Sequence, residues 1–284
     1  MTNIKVVGIV GAGQMGAGIA QVCAMSGYQV YLWDAASDSL EKGMNGIKAQ
    51  LKKLVEKEKI SQELADTTLS NLHTATALED FKACDLAIEA IIENYEIKCE
   101  LFKKLDSIMK PESLFGSNTS SISITRMAAA TTRPEQFIGI HFMNPVPIMK
   151  LVELIRGLQT SDHTYQSVNS FSQSLGKTTV LAIDGPGFIV NRILCPMINE
   201  AVFLLQEGVK PEDIDNSMKL GTNQPMGPLE LADFVGLDTL YYILQLLHRE
   251  LGEDKYRPCP LLAKYVEAGW YGRKNGRGFY TYDQ

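Results

Sequence analysis

The 284-residue chain has no run approaching the roughly 18 unbroken apolar residues that a membrane-spanning helix requires. Its opening, MTNIKVVGIVGAGQ, lacks a basic segment leading into a long apolar core and cleavage site. A soluble, cytoplasmic protein with no membrane partner is therefore expected. Cysteine is sparse: the five, at positions 23, 84, 99, 195 and 259, are odd in number, scattered and never in a CxxC pair. That leaves a disulfide framework or a zinc site without support, and no metal is expected. Cys23 and Cys195 fall within apolar helical patterns, where a small buried hydrophobe fits better than a nucleophile. Positive charge is also short, with 27 Lys and Arg against 33 Asp and Glu and a formal net charge of −6. This argues against a nucleic-acid partner, whose surface needs clustered cations. An anionic ligand would need a local basic patch.

Repeats and low-complexity segments are missing too, while 45% hydrophobic and 21% charged residues are ordinary for a globular chain long enough for two domains. What the first half does contain is alternation. IKVVGIV (4–10), QVYLWD (29–34), DLAIEAI (85–91), SLFGSN (113–118) and QFIGIHF (136–142) read as strands separated by helical stretches. Such alternation implies a parallel sheet covered by helices. Between the second and third strands, Leu40, Met44, Ile47, Leu51, Leu54 and Val55 recur at helical spacing, and SQELADTTLSNL follows as a second helix. A helical hairpin projecting from the sheet is expected.

TTVLAIDGPGF (178–188) closes this half with a strand and a Gly-Pro-Gly break, which sets the expected domains at 1–185 and 186–284. Beyond it, GFIVNRILCPMINEAVFLLQEG, KPEDIDNSMKLG, GPLELADFVGLDTLYYILQLLHREL and PLLAKYVEAG all read as helices. Tyr241, Tyr242, Leu244, Leu246 and Leu247 make one of them apolar around much of its circumference. A dimer interface and an internal core helix both account for that.

GIVGAGQMGAGIA holds Gly11, Gly13 and Gly16 as G-x-G-x-x-G, with Gln14 and Met15 between the last two, directly after an apolar strand and before a helix ended by Gly27. The first glycine permits a tight turn, the second lets a pyrophosphate approach the backbone, and the third lets helix and strand pack closely. Free amides and the helix dipole then face the phosphates. A glycine turn used only for packing is the competing account, and the context counts against it. The second strand ends on an acid, Asp34, 18 positions past Gly16, placed to accept hydrogen bonds from the adenosine ribose. DAAS supplies no Arg or Lys for a 2′-phosphate, so NAD is expected rather than NADP. The fold class is thus α/β, a doubly wound Rossmann-type NAD-binding domain with a helical hairpin insertion, followed by an all-α C-terminal domain.

In GIHFMNPVPIMKLVELI, His141 and Glu153 are equidistant from Pro147. Two strands folding back at the Pro-Val-Pro turn bring them face to face, since proline cannot continue a central ladder. A carboxylate beside an imidazole fixes which nitrogen carries the proton and stabilises the imidazolium. A nicotinamide enzyme oxidising an alcohol needs such a proton acceptor while hydride leaves the carbinol carbon. A buried, purely structural His–Glu pair is the alternative.

Five separated stretches, SLFGSNTSSISI, GIHFMNPVPIMKLVELI, DGPGFIVNRI, MGPLELADFVGLD and YGRKNGRGFYTY, resemble the short-chain (S)-3-hydroxyacyl-CoA dehydrogenases, in order and across almost the whole chain. The resemblance implies that His141 is the catalytic base, Glu153 its partner, and Ser120 and Asn191 the hydrogen-bonding groups for the reacting oxygen of an acyl-CoA substrate. It further implies that Glu93, Lys98, Ser120, Asn144 and Lys274 touch the nicotinamide half of NAD. Among Lys52, Lys53, Lys57 and Lys59 of the hairpin, it points most to Lys57 for the coenzyme A phosphates. A homodimer through the C-terminal helices is the expectation that the apolar helix of the second half supports. For Asn191, Lys274 and the lysine run, a merely solvated side chain is the competing account. Two other functions stay open. A dehydrogenase of a free hydroxy acid would want an arginine near Asn191, where Arg192 stands. A non-catalytic NAD-binding protein would break the His, Glu, Ser and Asn set, and all four are present.

Overall fold

The computed structural model describes residues 3–282. The chain forms two compact units that divide between Gly185 and Pro186. In the first, apolar β-branched runs buried on both faces make the strands: Val7, Ile9 and Val10 of β1 (Val6–Val10) and Leu86, Ala87 and Ile88 of β4 (Leu86–Glu89) have no exposed surface. The others are β2 (Gln29–Trp33), β3 (Leu72–Thr74), β5 (Leu114–Ser117), β6 (Phe137–Phe142), β7 (Leu151–Arg156) and β8 (Thr178–Ile183). They form one eight-stranded sheet in the order β3-β2-β1-β4-β5-β6-β7-β8. The chain runs outward from β1 to β3, returns to the centre for β4 and builds the other way, so the order reverses between β1 and β4. All neighbours are parallel except β6 and β7, which pair antiparallel with His141 opposite Glu153.

The helices are α1 (Gln14–Met25), α2 (Ser37–Glu56), α3 (Gln62–Ser70), α4 (Tyr95–Ile108), α5 (Ile124–Ala128) and α6 (Asp162–Ser174). α2 and α3 are the expected hairpin, but it does not project freely. Ile47, Leu51 and Ala65 are 2%, 1% and 3% exposed and belong to the same core as Ile19 and Cys23 of α1. The reason is the width of the apolar stripe on α2, since fully burying one Leu or Ile is worth about 1.5–3 kcal/mol. The three-residue β3 is too short to show any periodicity in the sequence. β4 stops at Glu89 instead of reaching Ile91, because the Glu89 carboxylate takes the Ile91 amide at 2.7 Å.

The second unit contains α7 (Val190–Gln206), α8 (Pro211–Thr222), α9 (Pro228–Val235), α10 (Leu237–Leu251) and α11 (Pro260–Glu267), and among its described residues the only β pairing is two isolated bridges, Gly272 to Arg277 and Arg277 to Thr281. The stretch expected as one helix from Gly227 to Leu251 breaks at Gly236, whose φ of 105° a β-carbon would resist. The new helix starts there, and the Leu237 amide donates to the Tyr271 carbonyl at 3.1 Å. α10 turns much of its apolar surface to the core of its own unit: Leu240, Ile243, Leu244 and Leu247 are buried there, while Tyr242 is 43% exposed. All five cysteines are free and buried, and burial pushes the Cys195 thiol up to about 12. Two buried acids stitch the tail to the helices. Asp215 takes the amides of Leu229 and Glu230 and the Tyr280 hydroxyl, and Asp233 takes the amides of Phe279 and Tyr280 and the Tyr282 hydroxyl, each at 2.8–3.0 Å.

Asp233→Ala leaves those three donors without their acceptor. The expected cost is about 3 kcal/mol, given roughly 1–3 kcal/mol per stranded buried donor and partial rescue by water. A lower urea midpoint in equilibrium unfolding checks it.

Candidate active site

The strand-order reversal puts the carboxyl ends of β1 and β4 side by side, which is where a doubly wound sheet opens a crevice. The turn from β1 into α1 is built by its glycines. Gly11 has a φ of 102°, and its amide donates to the Trp33 carbonyl at 2.8 Å. A β-carbon on Gly16 would lie 1.7 Å from the Gly11 carbonyl oxygen, so only glycine lets the helix sit this close to the strand. A β-carbon on Gly13 would meet nothing within 4 Å, so that face of the turn is open. α1 has neither a side-chain cap nor an acid in its first turn, which leaves its amides and dipole for an anion. Gln14 is exposed and Met15 half-buried at this helix start.

Asp34 follows β2 and braces the same turn, its two oxygens accepting the amides of Ala12 at 2.7 Å and Ala36 at 2.9 Å. Gly11, Gly13 and Asp34 line a cleft of about 650 Å³ whose other walls include Leu78, Ile91, Ile97 and Lys104. Open space at Gly13, free helix amides and a fixed carboxylate beside an apolar slot fit the pyrophosphate, ribose and adenine of a dinucleotide.

At the ends of β4 and β5, several expected residues come together. The Glu93 carboxylate collects the hydroxyls of Thr119 at 2.5 Å and Ser121 at 2.7 Å and the Ser120 amide at 3.1 Å on one oxygen. Its other oxygen lies 3.2 Å from the Lys98 ammonium. Lys98 is 1% exposed, and its ammonium sits between Glu93 and a second acid, Glu89, to which it also donates. Burial works to raise the Glu93 carboxyl, but Lys98 and the Thr119 and Ser121 hydroxyls outweigh it and hold the group below the ordinary carboxylate value. For Glu89 burial wins, and its carboxyl lies above the ordinary value despite Lys98 and the Ser117 hydroxyl. Glu89 and Ser117 are the site-edge residues that sequence reasoning missed. The available signal was an acid closing an otherwise apolar strand, LAIE.

His141 lies one residue from the end of β6, at the same edge of the sheet. Its Nδ1 is 2.7 Å from Glu153 Oε2, with the imidazole 9% and the carboxylate 0% exposed. The backbone behind it is held by the Phe142 amide, which donates to the Asn118 side chain at 2.9 Å. The connecting turn is held by Lys177, whose ammonium donates to the carbonyls of Val146 at 2.5 Å and Met149 at 2.8 Å. Asn144 is exposed in that turn. Lys57 is exposed at the end of α2, as are Lys52, Lys53 and Lys59 around it. In the second unit, Asn191 is half-buried in the first turn of α7 and Arg192 is exposed beside it. Lys274 is exposed and its ammonium pairs with Asp238 at 2.5 Å. Among the described residues, no group of three or more His, Cys, Asp or Glu is placed to hold a metal, and no helix is long and apolar enough to cross a membrane.

Comparison with known proteins decides the family. The model for the NAD binding domain of 3-hydroxyacyl-CoA dehydrogenase matches residues 6–185, and the model for that enzyme's C-terminal domain matches residues 187–282. The chain belongs to the 3-hydroxyacyl-CoA dehydrogenase family. It is 56% identical over 280 residues to a 3-hydroxybutyryl-CoA dehydrogenase of Bradyrhizobium diazoefficiens, covering 98% of this chain and 96% of the relative. It is 46% identical over 287 residues to the mitochondrial hydroxyacyl-coenzyme A dehydrogenase of Homo sapiens, covering 98% of this chain and 91% of that one. A solved structure of (S)-3-hydroxybutyryl-CoA dehydrogenase from Ralstonia eutropha matches with a TM-score of 0.96 at 49% identity, covering 99% of this chain and all (100%) of that one. As a member of the 3-hydroxyacyl-CoA dehydrogenase family the chain is an NAD-dependent dehydrogenase, and the cleft from Gly11 to Asp34 lies within the matched NAD-binding span.

Gly16→Ala should weaken NADH binding at least about tenfold, because the helix must move off the turn that presents its amides. Titration of NADH fluorescence against wild type and variant measures it; an unchanged affinity would show that the turn does not seat the pyrophosphate.

Proposed function

We propose that the protein interconverts short-chain (S)-3-hydroxyacyl-CoA, with (S)-3-hydroxybutyryl-CoA as the representative substrate, and the 3-oxoacyl-CoA, with His141 moving the proton. The observation that carries this is the pairing of His141 Nδ1 with a fully buried Glu153 oxygen at 2.7 Å, at the carboxyl edge of a dinucleotide-binding sheet. Bound NAD supplies the hydride acceptor in oxidation and, reduced, the donor in the reverse direction. Glu153 keeps the proton on Nδ1, so Nε2 is the nitrogen that takes the C3 hydroxyl proton. The buried carboxylate then stabilises the imidazolium, which in the reducing direction returns that proton to the substrate oxygen.

In this reading Ser120 and Asn191 hydrogen-bond the reacting oxygen and hold the substrate for attack. Gly11, Gly13, Gln14, Met15, Gly16 and Asp34 hold the adenosine and pyrophosphate, and Glu93, Ser120 and Asn144 face the nicotinamide half. Lys98, with its ammonium between two carboxylates, acts on Glu93, and Lys274 reaches the cofactor by exchanging Asp238 for it. Lys57 and the neighbouring lysines meet the coenzyme A phosphates. Residues 1–185 form the NAD-binding domain. Residues 186–284 form the substrate and dimerisation domain of a cytoplasmic homodimer, for which the exposed Ile193 and Leu220 supply apolar surface.

His141→Gln is expected to lower kcat by about 10²–10⁴-fold, the usual worth of a positioned acid–base group, with NADH affinity within about twofold of wild type. Wild-type-like turnover would remove His141 from the mechanism. Steady-state rates with NADH and acetoacetyl-CoA, longer 3-oxoacyl thioesters and free oxo acids test the substrate. Preference for a free acid would move the reading to a hydroxy-acid dehydrogenase using Arg192.

A further inference from the structure

We infer that Glu89 is a positioning residue for the nicotinamide end of the cofactor, acting through Lys98 on Glu93 and the Ser117–Ser121 loop. The inference rests on the proposal that Glu93 and Ser120 face that half of NAD. Glu89 closes β4 after Leu86, Ala87 and Ile88, is itself 0% exposed, and stands opposite Val10 of β1 and Ser117 of β5 at the strand-order reversal. One carboxylate oxygen takes Lys98 and the Ile91 amide; the other takes the Ser117 hydroxyl at 2.6 Å.

From there the bonds close into a ring. The Ser117 oxygen accepts the Thr119 amide at 3.2 Å, the Thr119 hydroxyl donates to Glu93 at 2.5 Å, and Glu93 returns to Lys98 at 3.2 Å. Among the described residues Lys98 pairs with no other carboxylate, so removing Glu89's charge leaves a buried ammonium to be neutralised by Glu93 alone. Glu93 is then drawn toward Lys98 and away from the Thr119, Ser120 and Ser121 groups that share its other oxygen. Fold stability does not by itself call for such a triad, because a buried ion pair is often replaced by apolar side chains of equal volume at no cost. What the triad supplies is a fixed direction for the Glu93 carboxylate at the rim of the crevice. The adenosine cleft is lined by Gly11, Gly13, Asp34 and Leu78, which lie outside the ring, and also by Ile91, whose amide donates to Glu89; the side-chain oxygen that Glu89→Gln leaves in place still accepts that bond.

Glu89→Gln, which preserves shape and removes the charge, should raise the Kd for NADH about tenfold, as expected for coupled neighbours in one network. The Kd for ADP-ribose, which lacks the nicotinamide, should stay within about twofold. In a Lys98→Met background the same substitution should add no further loss of NADH affinity, because its effect is transmitted by Lys98. Equal losses for NADH and ADP-ribose would show a general distortion of the cleft and overturn the inference, as would unchanged affinity for both. If Glu89→Gln does not fold, Ser117→Ala removes one bond to Glu89 and should give a smaller loss, again confined to NADH; a non-selective loss or none at all overturns the inference equally. These readouts are separate from the proton-transfer reading. An active His141→Gln enzyme would end that mechanism and leave the selective NADH effect standing.

Discussion

A parallel sheet whose strand order reverses between β1 and β4 has one place where neighbouring connections leave in opposite directions, and the dinucleotide cleft and the Glu89 cluster gather around it. The glycine turn leaves β1 there, Asp34 closes the same turn from β2, and Glu89 ends β4 next to Val10. The sheet must be apolar on both faces to be covered by helices, so polar chemistry is confined to strand ends. That is why the carboxyl edge, and not either face, carries the amides, acids and hydroxyls.

The antiparallel pairing of β6 with β7 does a different task. A parallel neighbour returns only after a crossover, whereas a hairpin brings two residues of one short segment into direct opposition. His141 and Glu153 are placed by register alone, with their backbones tied into β6 and β7 and with β8 pairing the far side of β7. Lys177, just before β8, adds a second tie through the turn carbonyls. The imidazole is therefore aimed by covalent chain direction and ladder hydrogen bonds, which tolerate far less wander than a loop.

Much of this was open to reading from the residues because the signals were local. Period-two and period-3.6 patterns, a glycine spacing and an acid at a strand end each lie within a few dozen residues, and the symmetry of His141 and Glu153 about Pro147 is visible in seventeen consecutive letters, 139–155. The Glu89 ring was not legible, because its partners come from 9 and 28 positions away and meet only when β4, α4 and β5 assemble. The hairpin helices were expected to project from the sheet with no partner named, because amphipathicity shows that a stripe is buried but not against what, and α1 supplies the answer. The break at Gly236 was hidden by apolar residues on both sides that fit one continuous helix as well as two, and tertiary contact with Tyr271 decided between them.

The burial of every cysteine has its own bearing on how such an enzyme ages. With no thiol at the surface, and with Cys23, Cys84 and Cys195 held strongly toward the neutral form, the folded chain offers oxidants no ready thiolate. Chemical damage at sulfur must wait for a breathing motion that opens a core. The thiols of this molecule therefore keep a record of how often it has come apart, not of what it has met in solution.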